Sequence, residues 1–328
     1  MKVLFIGGTG VISSACSRLA IEKGIDLYLL NRGQSFRSVP EKAHLIKGDV
    51  RDKESVSRLI SEFNFDVVVN WIVFTRHQIE SDLEIFRDKT NQYIFISSAS
   101  AYQTPPASLP VTEKTPLSNP FWQYSRDKIA CEERLMQAWR EEDFPVTIVR
   151  PSHTYDQTML PILGKYTTVD RMRRGKRIIV HGDGTSIWVL THHMDFARGF
   201  IGLLGNTAVI GEAVHITSDE WLTWNQIYEI IAQAAGATAD IVHIPSEVIN
   251  MFDPQWGEGL LGDKAHSMIF DNSKIKRLVP RFNAEIPFTT GAGEIINWFD
   301  HHPDQQIVDP VVNNMMDRIL DSFQKIRA

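Results

Sequence analysis

The opening residues, Met1-Lys-Val-Leu-Phe-Ile-Gly-Gly-Thr-Gly-Val-Ile-Ser13, leave little choice of local structure. Val3 to Ile6 form a short apolar run that ends in glycine, and Ala15, Leu19 and Ala20 then recur at helical spacing. Strand, glycine turn, helix is the reading. At such a turn the backbone can approach a pyrophosphate, while the first N–H groups of the helix turn their partial positive charge toward it. Gly7, Thr9, Gly10, Val11 and Ile12 are therefore candidate nucleotide contacts.

The pattern continues. Apolar runs at Leu27–Leu30, Leu45–Ile46, Asp66–Trp71, Tyr93–Ser97 and Val146–Val149 read as strands, separated by helical stretches such as Ser55–Glu62. Strands alternating with helices predict a parallel sheet covered on both faces, with ligands beyond the carboxyl ends of its strands. Those ends carry Gly7, Asn31, Asp49, Asn70, Ser97-Ser98 and Pro151-Ser152-His153, all expected to rim one crevice. The second strand ends roughly twenty residues past the turn, where a dinucleotide fold reads the ribose. An acidic residue there would favour NAD; Asn31, Arg32 and nearby Arg37 stand there instead. A guanidinium suits a 2′-phosphate, so NADP is favoured slightly over NAD.

Tyr124 and Lys128 lie four residues apart. On a helix this stacks both side chains on one face, about 5 to 6 Å apart at Cβ, above Cys131, Leu135 and Ala138. A phenol titrates near ~10, and a fixed ammonium could bias it toward the phenolate that hydride chemistry needs. By itself the pair is an ordinary amphipathic feature; downstream of a phosphate turn and a strand-end serine it is a candidate catalytic pair.

Composition narrows the class. With 328 residues the chain is larger than one core usually serves, so two lobes are expected: residues 1–150 as a nucleotide-binding domain and 151–328 as a substrate lobe, some of whose elements could return to the first. A net charge of -6 argues against a general polyanion binder. Two cysteines, Cys16 and Cys131, are too few for a disulfide framework and fit a reducing compartment. The N-terminal apolar run is too short for a signal peptide or membrane span, so a cytoplasmic protein with no membrane partner is expected.

With the glycine turn, the segment Ser97-Ser-Ala-Ser-Ala-Tyr102 and the Tyr124/Lys128 pair in order, the chain resembles the extended short-chain dehydrogenase/reductases of the NAD-dependent epimerase/dehydratase group, nearly end to end. The resemblance implies an α/β fold, a Rossmann-type doubly wound parallel sheet with a smaller mixed α/β substrate lobe. Ser13 stands where the family's turn has its third glycine. Gly48-Asp49-Val50 resembles the stretch that holds the adenine, with Asp49 on its amino group. Trp71-Ile72-Val73 occupies the place of a Leu-Ala-Ala backbone contact to the cofactor, and Pro151 joins the cofactor set at its strand end. Ser98 falls on the catalytic serine or threonine. The implied mechanism has Tyr124 exchange a proton with a substrate oxygen, Ser98 hold that oxygen, and Lys128 bond the nicotinamide ribose and bias Tyr124.

Two departures bear on the substrate. Trp188 stands where nucleotide-sugar members carry an arginine that clamps the diphosphate, and His153 where many carry an asparagine facing the substrate. Losing the guanidinium removes a charge-assisted contact of about 1.5 to 3 kcal/mol, which argues against an ordinary nucleotide sugar. The Asp-Glu pair of family dehydratases is absent after Ser98, so dehydration is disfavoured. An NAD(P)-dependent redox epimerase or reductase acting on a sugar-like hydroxyl or ketone remains. The alternatives are an RNA-binding or cofactor-sensing member of the superfamily. Asn31-Arg32-Gly33 and the lost arginine resemble the chloroplast stem-loop RNA-binding branch, and Arg171, Arg173, Arg174, Lys176 and Arg177 form a basic cluster, but the acidic chain makes nucleic acid the weaker reading. His192-His193 lacks a spaced third ligand, so no metal is expected. His301-His302 is expected to end an exposed helix. The resemblance also implies a homodimer through the helix that carries Tyr124.

Overall fold

The computed structural model describes residues 1–327. The first half supplies β1 (Lys2–Ile6), β2 (Asp26–Asn31), β3 (His44–Lys47), β4 (Val67–Asn70), β5 (Tyr93–Ile96) and β6 (Val146–Pro151). The second half supplies β7 (His153–Tyr155), β8 (Ile178–His181), β9 (Ile187–Trp188), β10 (Leu190–His192), β11 (Ala213–Ile216), β12 (Leu222–Thr223) and β13 (Ile241–Ile244). Seven of these form one parallel sheet in the order β11-β6-β5-β4-β1-β2-β3. Strand order reverses between β1 and β4, which opens a crevice beyond their carboxyl ends.

β1 shows why the sheet is buried on both faces. Val3 and Phe5 join a core with Ala15, Cys16 and Ala20 of the helix Val11–Glu22 and with Phe196 and Phe200. Leu4 and Ile6, pointing the other way, join Val56, Ile79, Leu83, Cys131 and Leu135. That second face is covered by the helices Lys53–Leu59, Arg76–Phe86 and Gln123–Glu142. The first of them begins two residues earlier than its apolar pattern predicts, because Asp52 caps it by accepting from the Ser55 amide at 3.0 Å.

Beyond β6 the chain builds a second core around Tyr155, Trp188, Trp224, Tyr228, Phe288 and Phe299. It then returns. The helix His193–Ile201 packs beside Val11–Glu22, and β11 extends the large sheet by pairing with β6, Ala213 opposite Ile148 and Ile216 opposite Pro151. This crossing places the strand-end residues of the sheet against the second core, and the site lies at that junction.

Candidate functional site

The glycine turn has the shape a phosphate contact requires. Gly7 and Gly8 adopt φ of +103° and +86°, and a Cβ on Gly8 would come within 2.6 Å of a Leu29 methyl. Ser13, in the place of a third glycine, stabilises the turn: its Oγ accepts from the Gly10 amide at 2.8 Å, while Ser17 Oγ donates to the Gly8 carbonyl at 2.8 Å. Above the turn lies a cavity of about 440 Å³ bounded by Gly7, Thr9, Asn31, Arg32, Asp49, Val50 and Ile72, seven of the residues singled out from sequence. Asn31 shapes it, donating to the Gly7 carbonyl and accepting from the Gly33 amide at 2.8 Å. Arg32 lines it without a partner among the described residues, and Arg51 joins it. Arg37 is committed elsewhere, to Asp156 at 2.9 Å and Thr158 at 2.5 Å. Gly10 caps the helix that Val11 starts, and Ile12 and Pro151 line a neighbouring cavity instead. Trp71 lines neither this cavity nor its neighbour: its ring packs against Phe5 and Phe200 at centroid distances of 5.4 and 4.8 Å.

Ser98 follows β5, and Tyr124 and Lys128 sit on one face of the helix Gln123–Glu142. Ser98 lies beside Tyr124 on the wall of one cavity, and its Oγ meets Ser100 Oγ at 2.9 Å, which in turn accepts from Ser125 of the tyrosine's helix at 2.9 Å. Lys128 is anchored by backbone carbonyls. Its Nζ is buried and donates to the carbonyls of Val73 at 2.6 Å and Ile96 at 2.8 Å, leaving one N–H, and it lies 5.8 Å from the Tyr124 ring centroid. Burial lowers its pKa to about 8. Burial raises that of Tyr124 to about 12; the nearby Ser98 hydroxyl opposes this and the Asp263 carboxylate adds to it. The phenol thus keeps its proton at neutral pH in this state.

Behind the serine a buried network ties strand to helix. Glu132, one turn beyond Lys128, accepts from Ser97 Oγ at 2.5 Å and pairs with Arg150 of β6 at 2.5 Å. The Arg150 guanidinium lies 4.7 Å from the Tyr102 ring centroid, and Tyr102 meets His215 of β11 at 3.0 Å. Sequence reading placed Tyr102 as an alignment mark; its position in this network depends on contacts from four separate stretches of chain.

Ser98 and Tyr124 open onto a second cavity of about 450 Å³ that also includes Ile12, Pro151, His153 and Trp188. The two departures from the family pattern meet there: Trp188 Nε1 donates to His153 Nδ1 at 3.1 Å. Burial and the Lys264 charge lower the His153 pKa to about 3, so the ring is neutral. Trp122 and Trp224 add further aromatic wall, and Trp188 and Trp224 lie 5.6 Å apart at their centroids. Sequence reading missed Asp263 and Lys264, which line the same cavity, because Leu260-Leu-Gly-Asp-Lys264 carries no distinguishing pattern.

Other singled-out groups serve structure. Arg171, Arg173 and Arg174 pair with Asp317, Asp300 and Asp170 at 2.7, 2.8 and 3.0 Å, and Arg177 donates to Gln324, so the basic cluster is largely engaged within the fold. The rings of His192 and His193 do not diverge as strand neighbours would. One closes β10 and the other opens a helix, so they stand 4.7 Å apart. His192 meets Glu294 at 3.0 Å, and no group of three ligand-type residues suited to a metal occurs among the described residues. His301 ends the helix Phe288–His301, and both it and His302 are exposed. Among the described residues no helix is long and apolar enough to cross a membrane.

Comparison with known proteins agrees with this architecture. The chain is 24% identical over 295 residues, 86% of its length and 80% of the relative's, to the 2'-dehydrokanamycin reductase of Streptomyces kanamyceticus. It is 29% identical over 262 residues, 74% of its length and 65% of the relative's, to the chloroplast stem-loop binding protein of 41 kDa b from Arabidopsis thaliana. Among solved structures, UDP-glucose 4-epimerase from Bifidobacterium longum, in complex with NAD+ and UDP, superposes with a TM-score of 0.75 at 20% identity, covering 93% of this chain and 100% of that one. Residues 3–216, most of the chain, match the model of one family. The protein belongs to the NAD dependent epimerase/dehydratase family.

Proposed function

We propose that the protein is an NAD(P)-dependent oxidoreductase, a reductase or redox epimerase, acting on a sugar-like ketone or hydroxyl through Ser98, Tyr124 and Lys128. The observation that carries this reading is that Ser98 and Tyr124 line one cavity of about 450 Å³, while the glycine turn lines a second of about 440 Å³. The turn fits a dinucleotide: a Cβ at Gly8 would collide with Leu29, while Gly7 and Thr9 line the crevice. A bound nicotinamide supplies or accepts the hydride. The chain's own residues handle the proton. With its pKa near 12, Tyr124 is set as a donor, passing its proton to the substrate oxygen as the carbonyl carbon gains hydride. Ser98 Oγ holds that oxygen. Lys128 supplies a fixed charge behind the phenol, which favours the phenolate left after transfer. Oxidation reverses each step.

The reductase direction also draws support from the Streptomyces relative, named as a reductase, and the epimerase reading from UDP-glucose 4-epimerases of Lactobacillus helveticus and Corynebacterium glutamicum. With Arg37 engaged by Asp156, preference for NADP would rest on Arg32. Tyr124→Phe should abolish turnover with cofactor affinity retained; undiminished turnover would remove Tyr124 from the chemistry. Arg32→Ala should raise KM for NADP and leave KM for NAD unchanged, and equal effects on both would remove the phosphate role.

A further inference from the structure

The hydride reading leaves part of the cavity unused. Asp263 and Lys264 form an ion pair at 3.2 Å inside a wall of aromatic rings, with the ammonium 5.4 Å from the centroid of Trp122 and 5.8 Å from that of Trp188. Both side chains keep hydrogen-bonding capacity. Lys264 gives one of three N–H groups to Asp263, and the Asp263 carboxylate accepts from Lys264 alone among the described residues. Their side chains remain 15% and 22% exposed. His153 has a third free group: with Nδ1 accepting from Trp188, Nε2 carries the proton and meets no acceptor among the described residues. Placing an ion pair in apolar surroundings is costly unless its remaining valences are met, and here the protein leaves them open.

The backbone beneath the pair is held firmly. Leu260–Lys264 is a π-turn, closed by the Ala265 amide on the Leu260 carbonyl at 2.8 Å, a geometry that recurs at functional sites. The Lys264 carbonyl accepts from His181 Nε2 at 3.0 Å, Trp224 Nε1 at 3.1 Å and Ser186 Oγ at 3.2 Å. Three donors on one carbonyl fix where the acid and the amine stand relative to Tyr124, in the manner of a preorganised recognition site.

We propose that Asp263, Lys264 and His153 recognise adjacent hydroxyl groups of an uncharged polyhydroxylated ring, so that the substrate is a free sugar, cyclitol or simple glycoside without a diphosphate. This deepens the hydride reading and rests on it. The acid accepts from one hydroxyl, and the amine and the imidazole N–H donate to its neighbours, while the apolar face of the ring lies on Trp188. Charge decides against the alternatives. The two formal charges cancel, so an anion meets the Asp263 carboxylate and a cation meets the Lys264 ammonium. A diphosphate would find an indole in the place of a guanidinium.

The test uses the full chain carrying Tyr124→Phe, saturated with NAD so that no turnover intervenes, with binding measured by calorimetry. The probes are D-glucose, myo-inositol, methyl α-D-glucopyranoside, glucose 6-phosphate and UDP-glucose. At least one uncharged ring should bind more tightly than either phosphorylated probe, and Asp263→Asn and Lys264→Met should each weaken it about tenfold or more with NAD affinity unchanged. Tighter binding of UDP-glucose or glucose 6-phosphate, no binding of any uncharged ring, or unaltered affinity in both variants overturns the assignment. Turnover with tyrosine restored separates the two readings. A ring that binds but is never oxidised or reduced sinks the hydride chemistry alone, whereas turnover of UDP-glucose sinks the recognition site alone.

Discussion

Replacing Lys128 with methionine separates two consequences of burying an ammonium. Desolvation lowers the Lys128 pKa from 10.5 to about 8, a gap equivalent to about 3 kcal/mol held against the charged form. For a group whose folded pKa is depressed, the stability contribution is present above the unfolded value and lost as pH falls through the folded one. Wild-type stability measured relative to Lys128→Met should therefore rise by about 3 kcal/mol between pH 7 and 10.5, most of it above pH 8. At pH 7 the variant escapes that penalty but leaves the Val73 and Ile96 carbonyls short of a donor, at about 1 to 3 kcal/mol each. These terms oppose each other, so the variant stays folded with stability close to wild type. Turnover, in contrast, should drop by at least ~10²-fold, because the charge behind the phenol is gone. Urea unfolding of both proteins across this pH range, with turnover at pH 7, reads both effects. A stability difference flat with pH would refute the desolvated ammonium, and wild-type turnover in a folded variant would refute its catalytic use.

Three further outcomes are expected. Gly8→Ala must hold a side chain at a φ of +86° against Leu29, which should cost about 1 to 3 kcal/mol in urea unfolding and weaken NAD binding in calorimetry; an unchanged affinity would dissociate the turn from the cofactor. Glu132→Gln leaves the Arg150 charge buried and unpaired, so about 3 to 5 kcal/mol of stability should be lost at pH 7; a loss below about 1 kcal/mol would show that water reaches the pair. Arg37→Ala removes the contacts to Asp156 and Thr158, and stability should fall by about 1 to 3 kcal/mol while KM for NADP stays put; a rise in that KM would return Arg37 to the 2′-phosphate.

Much of the first layer was legible because its signals are local. Short apolar runs separated by helical stretches give β1 to β6 close to their observed bounds, and the glycine turn needs only consecutive residues. The same holds for the shared helix face of Tyr124 and Lys128, which follows from spacing. What Lys128 touches did not follow, since Val73 and Ile96 lie on other elements of the fold. Arg37 shows the same limit: beside Arg32 in sequence it reads as a phosphate ligand, but the second lobe brings Asp156 to it.

Sequence by itself determined the layered α/β architecture, the place of the glycine turn and the shared helix face of Tyr124 and Lys128, because each depends on periodicity or adjacency along the chain. Tertiary structure alone decided that β11 returns to the sheet, that Trp188 and His153 form one hydrogen-bonded unit, and that Asp263 and Lys264 line one cavity with Tyr124. Each of these joins segments well separated along the chain. Such contacts arise from packing two cores against each other, and no local pattern of residues encodes them.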